Sequence, residues 1–212
     1  MKKVILASLS NVLMILLPLL GNLPLIFNYK IHFLIAGSVF MWLTQPAFTV
    51  EDTNTKKDSD KFSVVLILMM SFISVITPVM DWAYFMNSHA QFTAFTLVGM
   101  VMMIIGLVFR AWAVKTLGEF FTPTVQIKKA HQLITGGPYS IVRHPSYTGA
   151  FLSIIGGAVM LESWIGFSLA CIAMTIAYYV RIRIEEYELS AHFGRRYLEY
   201  KHTTKRIIPF VW

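Results

Sequence analysis

Nothing constrains this chain more than its apolar stretches. Segments 4–20, 31–48, 62–80, 92–114, 147–161 and 164–180 hold a single Asp, Glu, Lys or Arg between them, Arg110. An α-helix rises 1.5 Å per residue, so about 20 apolar residues cover a hydrocarbon core of roughly 30 Å, and each segment reads as a span. The expected fold class is all-α: a polytopic membrane protein of about six transmembrane helices in one integral membrane domain, residues 1–212. The last two segments are joined only by Glu162-Ser163 and predict a C-terminal helical hairpin. At roughly 22 Å as helix, segment 147–161 is short for an unaided crossing, and its Gly149, Gly156 and Gly157 suit close helix packing in lipid. Lys2 and Lys3 resemble the start of a signal peptide. Gly21-Asn22-Leu23-Pro24 reads as a turn instead of a cleavage site, so the first segment is kept as a span.

Charge placement orients the bundle, because Lys and Arg collect in short cytoplasmic loops. Lys2 and Lys3, then Lys56, Lys57 and Lys61, then Lys115, Lys128, Lys129 and Arg143, and finally the basic tail 181–206 fall on one side of a six-span alternation. The opposite loops carry only Lys30, which predicts cytoplasmic N- and C-termini. The polar stretch 51–61 reads as a solvated cytoplasmic loop. Anionic membrane lipids and topology account for the formal net charge of +7, and no soluble basic domain exists to hold nucleic acid. With 14% charged residues against 56% hydrophobic, an ordinary soluble enzyme is excluded. Cys171 alone builds neither a disulfide framework nor a cysteine metal site, and no metal is expected.

Polar groups that a lipid-bathed chain does not need for anchoring point to chemistry, since ionisable residues are costly there. The connector 116–144 is long for a minimal loop, and its stretch 131–139 combines His131, a threonine, Gly136, Gly137 and Tyr139, groups that suit a nucleoside. Directly after it comes Arg143-His144-Pro145-Ser146-Tyr147, where Pro145 fits the first turn of a helix. That helix N-terminus, with Arg143 beside it, would present N–H groups to a carboxylate. On residue chemistry alone, headgroup contacts by His131, Arg143 and His144 explain the cluster as well. A second polar region runs from Arg181 to Glu188, with Arg181 and Glu185 on one helix face; Phe193-Gly194 then ends the helix, and Tyr197 and Tyr200 share a face of a short one. Arg110 either snorkels to the interface or faces the same pocket as Arg181, giving two cationic forks for an anionic substrate group.

These motifs resemble the isoprenylcysteine carboxyl methyltransferase family and its phospholipid methyltransferase relatives. The resemblance rests on 131–139, the run Arg143-His144-Pro145-Ser146-Tyr147-Thr148-Gly149, the pair Glu185-Glu186, and Phe193-Gly194 followed by Tyr197 and Tyr200. It spans about 106–209, so 92–212 is expected to be the methyltransferase core and 1–91 a set of helices without signature. The resemblance implies an S-adenosyl-L-methionine pocket under a cytoplasmic cap, reached from the bilayer by a lipophilic small-molecule or lipidated substrate. By that likeness His131, Leu133, Ile134, Gly137, Pro138 and Tyr139 surround the adenosyl group. Arg143, His144, Pro145 and Tyr147 hold the methionine part, Glu185 and Glu186 complete the cofactor side with Glu186 orienting the cap, and Arg110 and Arg181 bind the acceptor carboxylate. The sequence Glu119-Phe-Phe-Thr122 departs from the asparagine-containing stretch of the eukaryotic enzymes, and the compact length is similar to prokaryotic members, which places the chain in a prokaryotic inner membrane.

Methyl transfer from a sulfonium needs alignment and exclusion of water, not an acid or a metal, when the acceptor is a carboxylate already ionised at pH 7. An amine acceptor would need a base, for which Glu185, Glu186 or a tyrosine is the candidate. The competing readings are a phosphatidylethanolamine-type N-methyltransferase, an NADPH-dependent sterol-type reductase and a non-enzymatic membrane scaffold.

Overall fold

A computed structural model of the chain describes residues 2–45, 58–86, 89–122, 124 and 131–208. Seven α-helices form among them: α1 (Lys2–Asn11), α2 (Tyr29–Thr44), α3 (Asp58–Phe85), α4 (Ala94–Leu117), α5 (Pro145–Met160), α6 (Trp164–Phe193) and α7 (Arg195–Thr203). No strand forms among the described residues; Val142 and Lys205 make an isolated parallel bridge. The helix starts are written locally. Asn28 accepts from the Lys30 N–H ahead of α2, Thr93 and Thr96 form a capping box on α4, and Ser163 accepts from the Gly166 N–H on α6. Pro145 occupies the first turn of α5, as expected. Gly194, at φ 56°, ends α6 and starts α7, a conformation that favours glycine.

Among the described residues, three stretches are long and apolar enough to cross a membrane: Asp60–Phe85, Ala94–Phe120 and Trp164–Phe193. Their outward faces expose Phe62, Leu68, Ile105, Val108, Ile165 and Ile172, a surface suited to lipid and not to water. The chain is an integral membrane protein. Helices α2 and α5 have 16 residues each, about 24 Å of helix.

Two boundaries differ from the sequence reading, those of the first segment and of α3. The first segment is not one α-helix: α1 gives way to a π-helical turn at Val12–Leu16 and a 3-10 turn at Leu17–Leu19. Pro18 explains this, because it has no N–H to donate and its ring collides with the carbonyl four residues earlier. Helix α6 runs to Phe193, the end expected from Phe193-Gly194, about 45 Å, and so carries Arg181, Glu185 and Glu186 on the same rod as its apolar half. Helix α3 begins inside the stretch 51–61, which was expected to be solvated, and buries Asp60 at 2% exposure. Of the basic residues used for orientation, Lys56, Lys57, Lys128 and Lys129 lie outside the described residues.

The densest packing joins α4 to α5 and α3 to α6. The α4–α5 seam is made of glycines seven residues apart on each helix, Gly99 with Gly106 and Gly149 with Gly156. A methyl group added at Gly99 would lie 2.2 Å from the Met160 nitrogen, at Gly106 2.5 Å from the Gly149 carbonyl oxygen, and at Gly149 2.6 Å from the Arg110 nitrogen. Backbone meets backbone, so no side chain can move aside. Gly157 has a different role and faces the flexible end of Leu34. On the other pair, Gly166 sits against Pro78, where an added methyl would lie 2.6 Å from the proline Cα.

At the end opposite the charged half of α6, Lys30 is fully buried and pairs with Glu162 at 3.4 Å. Thr93 donates to the same carboxylate at 2.9 Å, and Ser163 donates to Asp81 at 2.6 Å. The hairpin turn is thereby tied to α2, α3 and α4. Lys30 is thus neutralised within the protein.

Gly149→Leu should open the α4–α5 seam at a cost of about 3 kcal/mol, the upper range for overpacking, whereas Gly157→Ala should cost less than about 1 kcal/mol. Thermal unfolding in detergent measures both; a Gly149→Leu protein as stable as the parent would contradict the seam.

Candidate active site

The charged half of α6, the start of α5, the end of α4 and α7 surround a pocket that opens to solvent, with about 840 Å³ of free space inside it and at its mouth. Among the residues singled out by sequence, His131, Leu133, Ile134, Tyr139, Arg143, His144, Tyr147, Arg181 and Glu185 border it. Gly137, Pro138, Pro145 and Glu186 do not, and they act on its shape. Gly137, at φ 60°, and Pro138 form the 3-10 turn Gly137–Ser140 that turns Tyr139 inward. The Tyr139 hydroxyl donates to the Ala113 carbonyl at 3.3 Å, and Tyr200 donates to the Tyr139 carbonyl at 2.6 Å. Aromatic rings form much of the wall. His131 stacks on Phe120 with centroids 4.7 Å apart and meets Phe193 edge-on at 5.6 Å.

Two carboxylates on successive positions of α6 do different work. Glu186, 4% exposed, accepts from Arg143 Nε at 3.0 Å and from Arg206 Nη2 at 3.2 Å, and pairs with Lys201 at 3.4 Å. Glu185 accepts from the Tyr147 hydroxyl at 2.9 Å and lies 3.6 Å from His144 Nδ1. So Glu186 fastens the tail, while Glu185 faces the cavity. Arg143 also donates to the Lys201 and Thr204 carbonyls. The backbone N–H groups of Arg143 and His144 go to the Lys205 and Arg206 carbonyls at 2.7 and 2.9 Å. Arg143 and these two N–H groups, expected to face an anion, therefore have protein partners: Glu186 takes Arg143 Nε, and the C-terminal strap takes Nη1 and both N–H groups.

A second cavity lies within the apolar part of the bundle, walled by α1, α2, α3, α4 and α5, with about 1480 Å³ of free space inside it and at its opening. Met14, Leu34, Ile67, Val75, Leu107 and Ile154 give its apolar character. Arg181 borders both cavities. Its Nη1 donates to Asp60 at 2.5 Å and to Ser63 at 2.8 Å, and its Nε donates to Tyr147 at 3.4 Å. Arg110 borders neither cavity. It points inward, not to the interface, donating to the Ser146 carbonyl at 2.9 Å and to Gln45 at 2.5 Å, while its Nε has no hydrogen-bond partner among the described residues. The two arginines are thus held on separate partners.

A family model for phospholipid methyltransferases matches residues 94–196. Protein-S-isoprenylcysteine O-methyltransferase B of Arabidopsis thaliana is 34% identical over 143 residues, covering 66% of this chain and 71% of that protein. The chain belongs to the isoprenylcysteine carboxyl methyltransferase family. Its human relative, protein-S-isoprenylcysteine O-methyltransferase, is 40% identical over 126 residues, 57% of this chain but only 43% of that one. The solved structure of the eukaryotic intramembrane Ras methyltransferase, an isoprenylcysteine carboxyl methyltransferase, matches 99% of this chain and 75% of its own with a TM-score of 0.68 at 25% identity. Family membership makes the chain a membrane methyltransferase and sets aside the reductase and scaffold readings.

Asp60, Ser63, Gln45 and Arg206 were not singled out by sequence. Asp60 and Ser63 carry a signal in retrospect: an acid and a hydroxyl three apart at the start of an apolar helix share a face. Gln45 and Arg206 carry none, because each meets its partner only through tertiary packing.

Burial keeps the phenols of the cap protonated: Tyr200 is pushed up to about 12, and Tyr139 and Tyr197 are raised further still. For His144, burial alone would lower the pKa, but the Glu185 and Glu186 carboxylates within 3.6 Å outweigh it and leave the ring above the ordinary 6.5. A raised histidine contributes stability in full below 6.5 and loses it as pH rises through the folded value. Unfolding temperature should therefore fall as pH rises above that point. Measured by thermal melts across pH, the fall should flatten in His144→Gln; an unchanged slope would show that the imidazolium does not hold the two carboxylates.

Proposed function

We propose that the chain transfers a methyl group from S-adenosylmethionine to a carboxylate on an isoprenylcysteine-like lipophilic substrate. The observation that carries this reading is Arg181 at the boundary of two cavities of unlike chemistry, one polar and aromatic, the other apolar and within the bundle. A soluble nucleoside cofactor suits the first and a prenyl chain the second. A carboxylate joined to that chain then meets a guanidinium where they adjoin.

The first cavity fits the cofactor on its own features. Tyr197 is 1% exposed, borders the cavity, and its hydroxyl has no hydrogen-bond partner among the described residues. A buried hydroxyl in that state is a vacancy for a ligand acceptor. Aromatic walls suit an adenine ring, and Glu185 suits a cationic ammonium or sulfonium. Tyr197 and His144 would hold the cofactor carboxylate, His131, Leu133, Ile134 and Tyr139 the adenosyl part. S-adenosylmethionine supplies an electrophilic methyl carbon when bound. Arg181 would orient the acceptor carboxylate, Tyr147 would fix the angle of that guanidinium, and the Phe120, Phe121 and Phe193 rings would keep water away. No residue needs to remove a proton from an ionised carboxylate. Arg110, two turns of packing away on the glycine seam, would hold the Ser146 end of α5 in place.

The orientation follows the same reading. The Asp60 end of α3, the Leu117 end of α4, the Pro145 end of α5 and the charged half of α6 converge on one side, and that side would face the cytoplasm, with both chain termini. The shorter helices would complete six crossings, with α1 to α3 serving to hold the lipid tail.

S-adenosylhomocysteine at a hundred times its dissociation constant should stabilise the detergent-solubilised protein by about 2.7 kcal/mol. Tyr197→Phe should weaken that binding by about 1 kcal/mol, roughly fivefold. Methyl ester formation on N-acetyl-S-farnesylcysteine should depend on Arg181. No stabilisation by the cofactor product, together with no ester formation, would rule the function out.

A further inference from the structure

The fold supplies Arg181 with a carboxylate of its own. Asp60 is 2% exposed and Arg181 3%, and the two are in direct contact through Nη1 and Oδ1, with Ser63 Oγ accepting from the same Nη1 at 2.8 Å. A guanidinium this deeply buried needs an anion beside it, since a lone buried charge costs several kcal/mol. Two carboxylates on one guanidinium in a dry site repel each other, so an arriving acceptor carboxylate and Asp60 are alternatives, not companions. The other carboxylate nearby, Glu185, is engaged by Tyr147 and His144, and Tyr147 in turn accepts from Arg181 Nε and not from the Nη1 that meets Asp60. Asp60 stands in the first turn of α3, at the end of the helix and not in its middle.

We propose that Asp60 is a latch that competes with the substrate carboxylate for Arg181, yielding to the acid and returning once the neutral methyl ester has formed. This rests on the carboxyl methyltransferase reading above. It assigns Asp60 a positioning role with two consequences. Acid substrate binds at a cost, because it must first displace Asp60. Product ester cannot compete for the guanidinium, so Asp60 reclaims Arg181 and the ester is left without that contact. The latch therefore narrows the affinity difference between acid and ester relative to a vacant arginine, because it weakens acid binding and leaves ester binding nearly unchanged.

The test measures dissociation constants of N-acetyl-S-farnesylcysteine and of its methyl ester for the parent, Asp60→Asn and Ser63→Ala, all in the same detergent. With the latch closed about nine-tenths of the time, its removal in Asp60→Asn raises acid affinity about tenfold, because apparent affinity scales with the competent fraction. Ester affinity should change by no more than about twofold. Ser63→Ala keeps the ion pair and hence the fold, and should move acid affinity in the same direction by about threefold; it decides the matter if Asp60→Asn does not fold. Acid binding in the parent with an unchanged acid-to-ester ratio in the folded variants overturns the latch alone. A parent that binds neither acid nor ester overturns the proposed function and the latch with it.

Discussion

A guanidinium buried at the junction of a polar cavity and an apolar one dictates much of what surrounds it. Arg181 cannot lie at 3% exposure without anions and acceptors, and the fold brings Asp60 and Ser63 from α3 and Tyr147 from α5 to meet it. Those same contacts close the inner end of the bundle. The charge that a membrane protein would rather avoid becomes the point at which three helices are registered and at which a lipid and a nucleoside could meet.

That junction depends in turn on how closely α4 and α5 approach. Gly106 and Gly149 put the backbone of Arg110 against that of α5, and Arg110 then reaches the Ser146 carbonyl. The short α5 is thereby set at one depth, and with it His144 and Tyr147. On the cap side, Glu186 gathers Arg143, Lys201 and Arg206, which ties the chain after α7 back to the start of α5. The C-terminal strap is part of the site's frame.

Much of this was legible in the residues. Apolar length gave the helices, Pro145 and Gly194 gave two of the boundaries, and the cluster from His131 to Tyr147 with Glu185 marked the cavity. The failures have physical causes. Segment 4–20 counted as uniform helix because hydropathy ignores the missing N–H of Pro18. Asp60 looked solvated because a polar stretch was read by composition, whereas helix α3 carries its first, polar turn into the bundle. Arg143 looked like an anion binder because its true acceptors, the carbonyls of Lys201 and Thr204, are some 60 residues away in sequence. Arg110 and Arg181 looked like a pair because both are arginines near helix ends; the partners that separate them, Gln45 and Asp60, come from helices without signature.

The most direct measurement is an experimental structure of the protein bound to S-adenosylhomocysteine and N-acetyl-S-farnesylcysteine together. The nucleoside is expected between Phe120, His131 and Tyr197, the farnesyl chain among Met14, Leu34 and Ile154, and the carboxylate about 3 Å from Arg181. A farnesyl chain lying on the outer surface of the bundle, or a carboxylate remote from Arg181, would contradict the two-cavity account.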